Sequence, residues 1–307
     1  MRILFVGAGA VGGYFGGRLI QAGRDVTFLV RPARAEILRR DGLRILSPHG
    51  DALLQPKLVS TGEIDGTYDL VILGVKGYAL DDAMRDMAPA VGPATTVLPL
   101  LNGMRHIDRL DETFSAEVVI GGVALVATQI DAEGRVVQLA DVQQLRYGER
   151  DGQTTPRILA IDAALQGPGF DAGLSSSIVQ DLWDKWVMLA SLGAVTCLFR
   201  GPIGAVAAVP GGAELARAIL DECAAIATAC GYRPSDAYLG RQAETLTAEG
   251  SPMTSSMYRD LRQNAPVEVD AILGDLLDLA RQHSTATPLL TAAYVNLRVY
   301  ANARAAH

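Results

Sequence analysis

The chain has 307 residues, 49% hydrophobic and 20% charged, with a formal net charge of −7. That length suggests about two domains, and the composition excludes a disordered or fibrous polymer. The acidic balance argues against nucleic acid or an anionic membrane surface as a partner, and no apolar run reaches the roughly 18–20 residues of a bilayer span.

Residues 3–6 are a short apolar run, the pattern of a parallel strand buried on both faces. The run enters Gly7-x-Gly9-x-x-Gly12, and a helical pattern follows over 11–22. This is the dinucleotide-binding fingerprint. Gly7 permits the tight turn, Gly9 lets the backbone approach a pyrophosphate, and Gly12 lets helix and strand pack closely. The free N–H groups at the helix start, around Ala10 and Val11, suit phosphate oxygens. Because the chain opens on a strand and not on a secretory leader, a cytoplasmic location is expected.

A second strand is predicted over 25–30. At its end an NAD-preferring site carries an acid for the ribose hydroxyls. Here the residue is Arg31, with Arg34 one helical turn later. An arginine pair suits a 2′-phosphate, so NADP(H) is the favoured cofactor; the plainer reading makes both arginines solvated residues at a helix start. A helix over 33–40 and a strand pair over 43–47 and 52–59 follow, turned around His49. Residues 68–74 form another buried strand ending at Lys76. At a parallel strand's carboxyl end, Lys76 either touches cofactor or a substrate carboxylate or is a surface lysine. A helix over 79–88 and a strand over 95–98 lead to Asn102-Gly103. Asn102 sits at a strand's carboxyl edge, where its amide can orient nicotinamide or substrate; Asn-Gly is equally a turn dipeptide. A helix over 108–114 follows. Strands over 118–130, 135–139 and 144–148, with turns at 131–134 and 140–143, read as an antiparallel extension of the sheet. A helix over 155–166 and a short strand over 170–174 complete the first half.

Beyond Ser177 nothing reads as a strand. Helices are expected over 179–200, 211–230, 235–248, 267–283 and 288–304. The first carries Lys185 in an otherwise apolar stretch, facing either solvent or a cleft where burial tunes its pKa. The loop over 250–257 is rich in small polar residues able to bind a carboxylate. Glu268, in the first turn of its helix, could simply stabilise the helix N-terminus. Cys197, Cys223 and Cys230 lack CxxC spacing and read as buried thiols. The four histidines His49, His106, His283 and His307 are scattered and form no metal-ligand cluster. The expected architecture is therefore α/β: an N-terminal Rossmann-type doubly wound sheet with an antiparallel extension (1–175), then an all-α C-terminal domain (176–307) for substrate and dimerisation.

These residues together resemble the ketopantoate reductase (2-dehydropantoate 2-reductase) family. Gly7–Gly12, Arg31, Val75-Lys76, Leu101-Asn102-Gly103, Trp183-Asp-Lys185 and Ser255-Ser256-Met257…Glu268 occur in the family's order. The resemblance implies NADPH-dependent reduction of a 2-oxo acid to the 2-hydroxy acid. Lys185 is then the general acid that protonates the carbonyl oxygen. Glu268 holds the substrate hydroxyl and positions Lys185, Ser256 binds the substrate carboxylate, Asn102 orients nicotinamide and substrate, and Lys76 lines the cofactor side. Leu189, Gly193 and Leu273 stand where the family often has asparagine, and Leu101 where it has glutamine, which makes the expected pocket less polar and leaves the identity of the oxo acid open. A non-catalytic dinucleotide sensor and a reductase with different catalytic residues are the alternatives; the apolar helices of the second half suggest a homodimer.

Overall fold

In the computed structural model, residues 1–305 are described, and His307 lies outside them. The chain divides into two compact units, Met1–Leu101 with His106–Val179, and Asn102–Arg105 with Gln180 onward.

The first unit holds two sheets. One is fully parallel, in the order β5-β2-β1-β6-β7, from β1 (Arg2–Val6), β2 (Asp25–Leu29), β5 (Lys57–Val59), β6 (Leu70–Leu73) and β7 (Thr96–Pro99). β1 shows why its sequence is apolar without alternation. Ile3 and Phe5 enter one buried cluster, Leu4 and Val6 another on the opposite face. Each fully buried side chain of this size contributes about 1.5–3 kcal/mol.

The antiparallel hairpin expected after residue 118 is present, as β8 (Gly121–Ile130) and β9 (Val136–Gly148). It belongs to a second, mixed sheet in the order β10-β9-β3-β4, with β8 paired to β9; β3 spans Leu43–Leu46, β4 Ala52–Leu54 and β10 Asp171–Leu174. The turn expected over 140–143 is instead an irregularity within β9, where the pairing steps from Val126↔Gln143 to Thr128↔Gln138. The strand expected over 52–59 divides at Pro56. Proline has no N–H to donate to a ladder, and the two pieces join different sheets, Ala52 to β3 and Lys57 to β2.

Helix α1 (Ala10–Gln21) lies between the sheets. A Cβ at Gly16 would meet the Phe28 ring at 2.5 Å, and one at Gly17 would meet Ile45 Cδ1 at 2.6 Å. The glycines thus let the helix press against both layers. Helices α2 (Pro32–Asp41), α3 (Leu80–Met87), α4 (Arg105–Phe114) and α5 (Pro156–Leu165) complete the unit's connections, the first residue of α4 clustering with the second unit.

The second unit is helical. α6 (Ile178–Leu198), most of which lies in it, is followed by α7 (Ile203–Ala207), α8 (Gly212–Ala229), α9 (Asp236–Leu246), α10 (Ser256–Arg262), α11 (Asp275–Gln282) and α12 (Pro288–Ala305). Trp186, Val187, Ala190, Ala194 and Val195 of α6 are buried, as are Ile219, Leu220, Cys223 and Ile226 of α8. Glu222 of α8 accepts from the N–H groups of Leu289 (3.1 Å) and Leu290 (2.8 Å), satisfying orphan donors at the start of α12. A π-helical turn, Asp270–Gly274, precedes α11. Cys197 and Cys223 are buried, while Cys230 is half-buried. Among the described residues no helix is long and apolar enough to cross a membrane.

Candidate active site

At the carboxyl end of β1 the backbone turns at Gly7, whose φ of 93° lies in the region that favours glycine. The Gly7 N–H donates to the Leu29 carbonyl of β2 at 2.9 Å. Helix α1 starts at Ala10, and a backbone bond runs from the Gly13 N–H to the Gly9 carbonyl at 2.8 Å. The N–H groups of Ala10, Val11 and Gly12 therefore lack helical acceptors, and no acidic side chain occupies that first turn.

The glycines of this turn divide by cause. A Cβ on Gly12 would stand 2.2 Å from the Gly7 carbonyl oxygen, so the protein's own packing requires that glycine. A Cβ on Gly9 would meet only the Gly74 oxygen, at an ordinary 3.8 Å. Packing does not require glycine there, and its absence of a side chain leaves the backbone open to a ligand. The residues present therefore fit a dinucleotide pyrophosphate. The position agrees with the topology, because the strand order reverses between β1 and β6. Lys76, half-buried, follows β6 at the same edge.

The two arginines have different surroundings. Arg31, at the N-cap of α2, is two-thirds exposed and lies 3.2 Å from Asp82 in the first turn of α3. Arg34 is held by backbone carbonyls through two of its nitrogens, and its buried Nη2 has no partner among the described residues. Its Nε donates to the Ala8 carbonyl at 3.0 Å and its Nη1 to the Gly134 carbonyl at 2.8 Å. Burial lowers its pKa. Arg34 ties the glycine turn to the β8–β9 turn, a role that sequence spacing does not reveal.

In the second unit the structure brings together Lys185, Glu268 and Asn102. Lys185 of α6 is 8% exposed and Glu268 is 5% exposed. The Asn102 amide donates to Glu268 Oε2 at 3.4 Å. Glu268 lies just before the π-helical turn and is not inside a first helical turn; its carbonyl accepts from the Ile272 N–H at 3.1 Å. Burial pushes the Lys185 ammonium down to about 8, and the negative charge of Glu268 opposes that fall. The result is a buried amine that is largely protonated at neutral pH and releases its proton near pH 8, which suits reversible proton transfer.

Trp186, the residue after Lys185 in α6, is buried. Its indole N–H donates to the Ile272 carbonyl at 2.9 Å, joining α6 next to Lys185 to the turn that follows Glu268. The signal available in the sequence was a tryptophan, whose buried N–H needs an acceptor.

The start of α10 separates two serines, Ser255 at its N-cap and Ser256 in its first turn. Ser255 is buried; it caps Tyr258 N at 3.0 Å and lies 2.8 Å from Thr196 Oγ1. Ser256 is half-buried, and its hydroxyl has no protein partner among the described residues. A Cβ on Gly193 would stand 2.4 Å from the Met257 methyl carbon, so a thioether fills the space where an asparagine is expected. Leu273 is fully buried.

The ketopantoate reductase PanE/ApbA family matches residues 3–152, and its C-terminal domain matches residues 177–301. The chain belongs to this family. A Bacillus subtilis relative, the uncharacterised oxidoreductase YkpB, is 36% identical over 98% of this chain and 99% of its own. Among solved structures of similar fold, 2-dehydropantoate 2-reductase from Geobacter metallireducens is 29% identical with a TM-score of 0.89, covering 97% of this chain and 99% of its own. A D-mandelate dehydrogenase in a ternary structure with NADH and anilino(oxo)acetate has a TM-score of 0.88 at 19% identity, covering 99% and 100%, and shows the shared fold alone. Like the ketopantoate reductase family as a whole, the chain is a dinucleotide-binding oxidoreductase.

Proposed function

We propose that this protein reduces a 2-oxo acid to the 2-hydroxy acid with NADPH, using Lys185 as general acid. The observation that carries the reading is the buried Lys185 with its pKa drawn down to about 8, held with Glu268 and Asn102. The nicotinamide supplies a hydride to the carbonyl carbon when bound. Lys185 Nζ gives its proton to the carbonyl oxygen, and its positive charge stabilises the alkoxide as it develops. Glu268 accepts the substrate hydroxyl and keeps Lys185 in place, with Asn102 fixing that carboxylate and orienting the substrate. The unpartnered Ser256 hydroxyl binds the substrate carboxylate. Gly7, Gly9, Ala10, Val11 and Gly12 hold the pyrophosphate, Arg31 the 2′-phosphate, and Lys76 lines the cofactor side.

Leu189, Gly193 and Leu273 stand where the family often has asparagine, and the Met257 methyl fills the space beside Gly193. They favour an oxo acid less polar than 2-dehydropantoate, since a site without matching polar partners discriminates against hydroxyl groups less strongly and gains from apolar contact. The test is turnover of a 2-oxo acid panel, 2-dehydropantoate included, with NADPH and NADH in parallel. Oxidation of NADPH by the apolar members is expected. Tight NADPH binding with no turnover on any member would instead indicate a dinucleotide sensor. A homodimer is proposed from the exposed apolar side chains of α8 and α12, Leu215, Val295 and Val299; light scattering on the purified protein checks it.

A further inference from the structure

The carboxyl ends of β2 and β6 flank that of β1, roughly 10 Å apart at about 4.8 Å per strand. Arg31 follows β2 and Asp82 lies just beyond β6, and their side chains meet at 3.2 Å. The pair therefore bridges the two segments on either side of the glycine turn. Asp82 is shared: its other oxygen, Oδ1, pairs with Arg85 one helical turn on. Asp82 also sits in the first turn of α3, where the helix dipole favours a carboxylate. All three side chains are more than half exposed, so the pairing is open to exchange with a dissolved anion.

We propose that Asp82 is a resident counter-anion for Arg31, a specificity-determining residue that reduces the advantage of NADPH over NADH. The proposal rests on the reading of Arg31 as the 2′-phosphate residue. A phosphate group reaching Arg31 meets a guanidinium already paired and a carboxylate that repels it within a Debye length. Binding NADPH exchanges one anion for another at Arg31. NADH brings no 2′-phosphate and requires no such exchange. Arg85 acts in the opposite direction, because it pairs with the other oxygen of Asp82 and offsets part of its charge.

The experiment is direct titration of NADPH and NADH by nucleotide fluorescence, without substrate, on the full chain and on D82N, R85A and R31A. D82N is expected to tighten NADPH about 2- to 5-fold with NADH unchanged within about 1.5-fold, in line with the modest strength of exposed charge pairs. R85A is expected to weaken NADPH about 2- to 3-fold; the tightening in D82N is the effect that loss of local folding cannot imitate. If R31A weakens NADPH selectively and D82N does not tighten it, the counter-anion role is overturned and the reading of Arg31 survives. If R31A leaves the NADPH-to-NADH ratio unchanged, the phosphate reading of Arg31 fails, and the counter-anion role with it. Equal tightening of both nucleotides by D82N also overturns the proposal, since it would reflect general electrostatics and not exchange at the 2′ position.

Discussion

Lys185 is expected to impose a pH dependence on both directions of the reaction. Its pKa is about 8, against an ordinary lysine value of 10.5, with burial as the main cause. In the proposed mechanism the acid form carries the reduction. It makes up about nine-tenths of the protein at pH 7, half at pH 8 and about one hundredth at pH 10. With NADPH saturating, kcat/KM for the oxo acid should stay level below pH 7 and fall tenfold per unit above pH 8, about 90-fold between pH 7 and 10. A lysine at 10.5 would lose less than about twofold over the same range. Oxidation of the hydroxy acid needs the neutral amine, so its profile should rise through the same midpoint. Glu268 opposes the effect of burial, so Glu268→Gln should move both midpoints to lower pH. The assay is absorbance at the reduced-nicotinamide band from pH 6 to 10.5, with solvent viscosity varied to detect a limit set by product release. A reduction profile flat to pH 9.5, or midpoints that rise in Glu268→Gln, would refute the assignment of Lys185 as the acid.

The same pKa links to stability. Between pH 8 and 10.5 the unfolded chain binds a proton that the folded chain has released, so Lys185 contributes an unfolding free energy that rises with pH across that window, by about 3 kcal/mol in all. The difference between wild type and Lys185→Met in urea melts should carry that slope and flatten below pH 7; Lys185→Ala should also lower kcat about 10²- to 10⁴-fold. Gly9→Ala should leave Tm within a degree or two yet weaken NADPH binding at least 10-fold, whereas Gly12→Ala should damage folding itself, because its Cβ would stand 2.2 Å from the Gly7 oxygen. Calorimetry alongside nucleotide titration separates the two. Asn102→Ala removes the donor to Glu268 and should lower kcat/KM about 10- to 100-fold, the range for a hydrogen bond to a charged group. Trp186→Phe keeps the ring and deletes the donor to the Ile272 carbonyl; a loss of about 1–3 kcal/mol is expected in chemical denaturation, and no change would remove Trp186 from the account of the site.

Much of the first unit was legible because its signals are local. An apolar run without alternation means a strand buried on both faces, and β1 sends Ile3 and Phe5 one way, Leu4 and Val6 the other. A glycine triplet between such a strand and a helix specifies a phosphate-binding turn from backbone chemistry alone. The departures have equally plain causes. Pro56 divides one expected strand between two sheets, because the lost N–H matters only once pairing partners are chosen. The run at 140–143 looked like a turn because polar residues collect both in turns and in irregular strand segments, and only the register of β8 against β9 distinguishes them.

The grouping of Lys185, Glu268 and Asn102 shows the same division. Sequence by itself determined the residue types: a lysine within an apolar helix, a glutamate near a helix start, an asparagine at a strand's edge, and arginines where an acid would hold a ribose. Tertiary structure alone decided their states. Burial sets the pKa of Lys185, the Asn102 amide selects an oxygen of Glu268, Arg34 is occupied by the Ala8 and Gly134 carbonyls, and Asp82 meets Arg31 from 51 residues away. Desolvation and ion pairing depend on distances between segments remote in the chain, and no local pattern carries those distances.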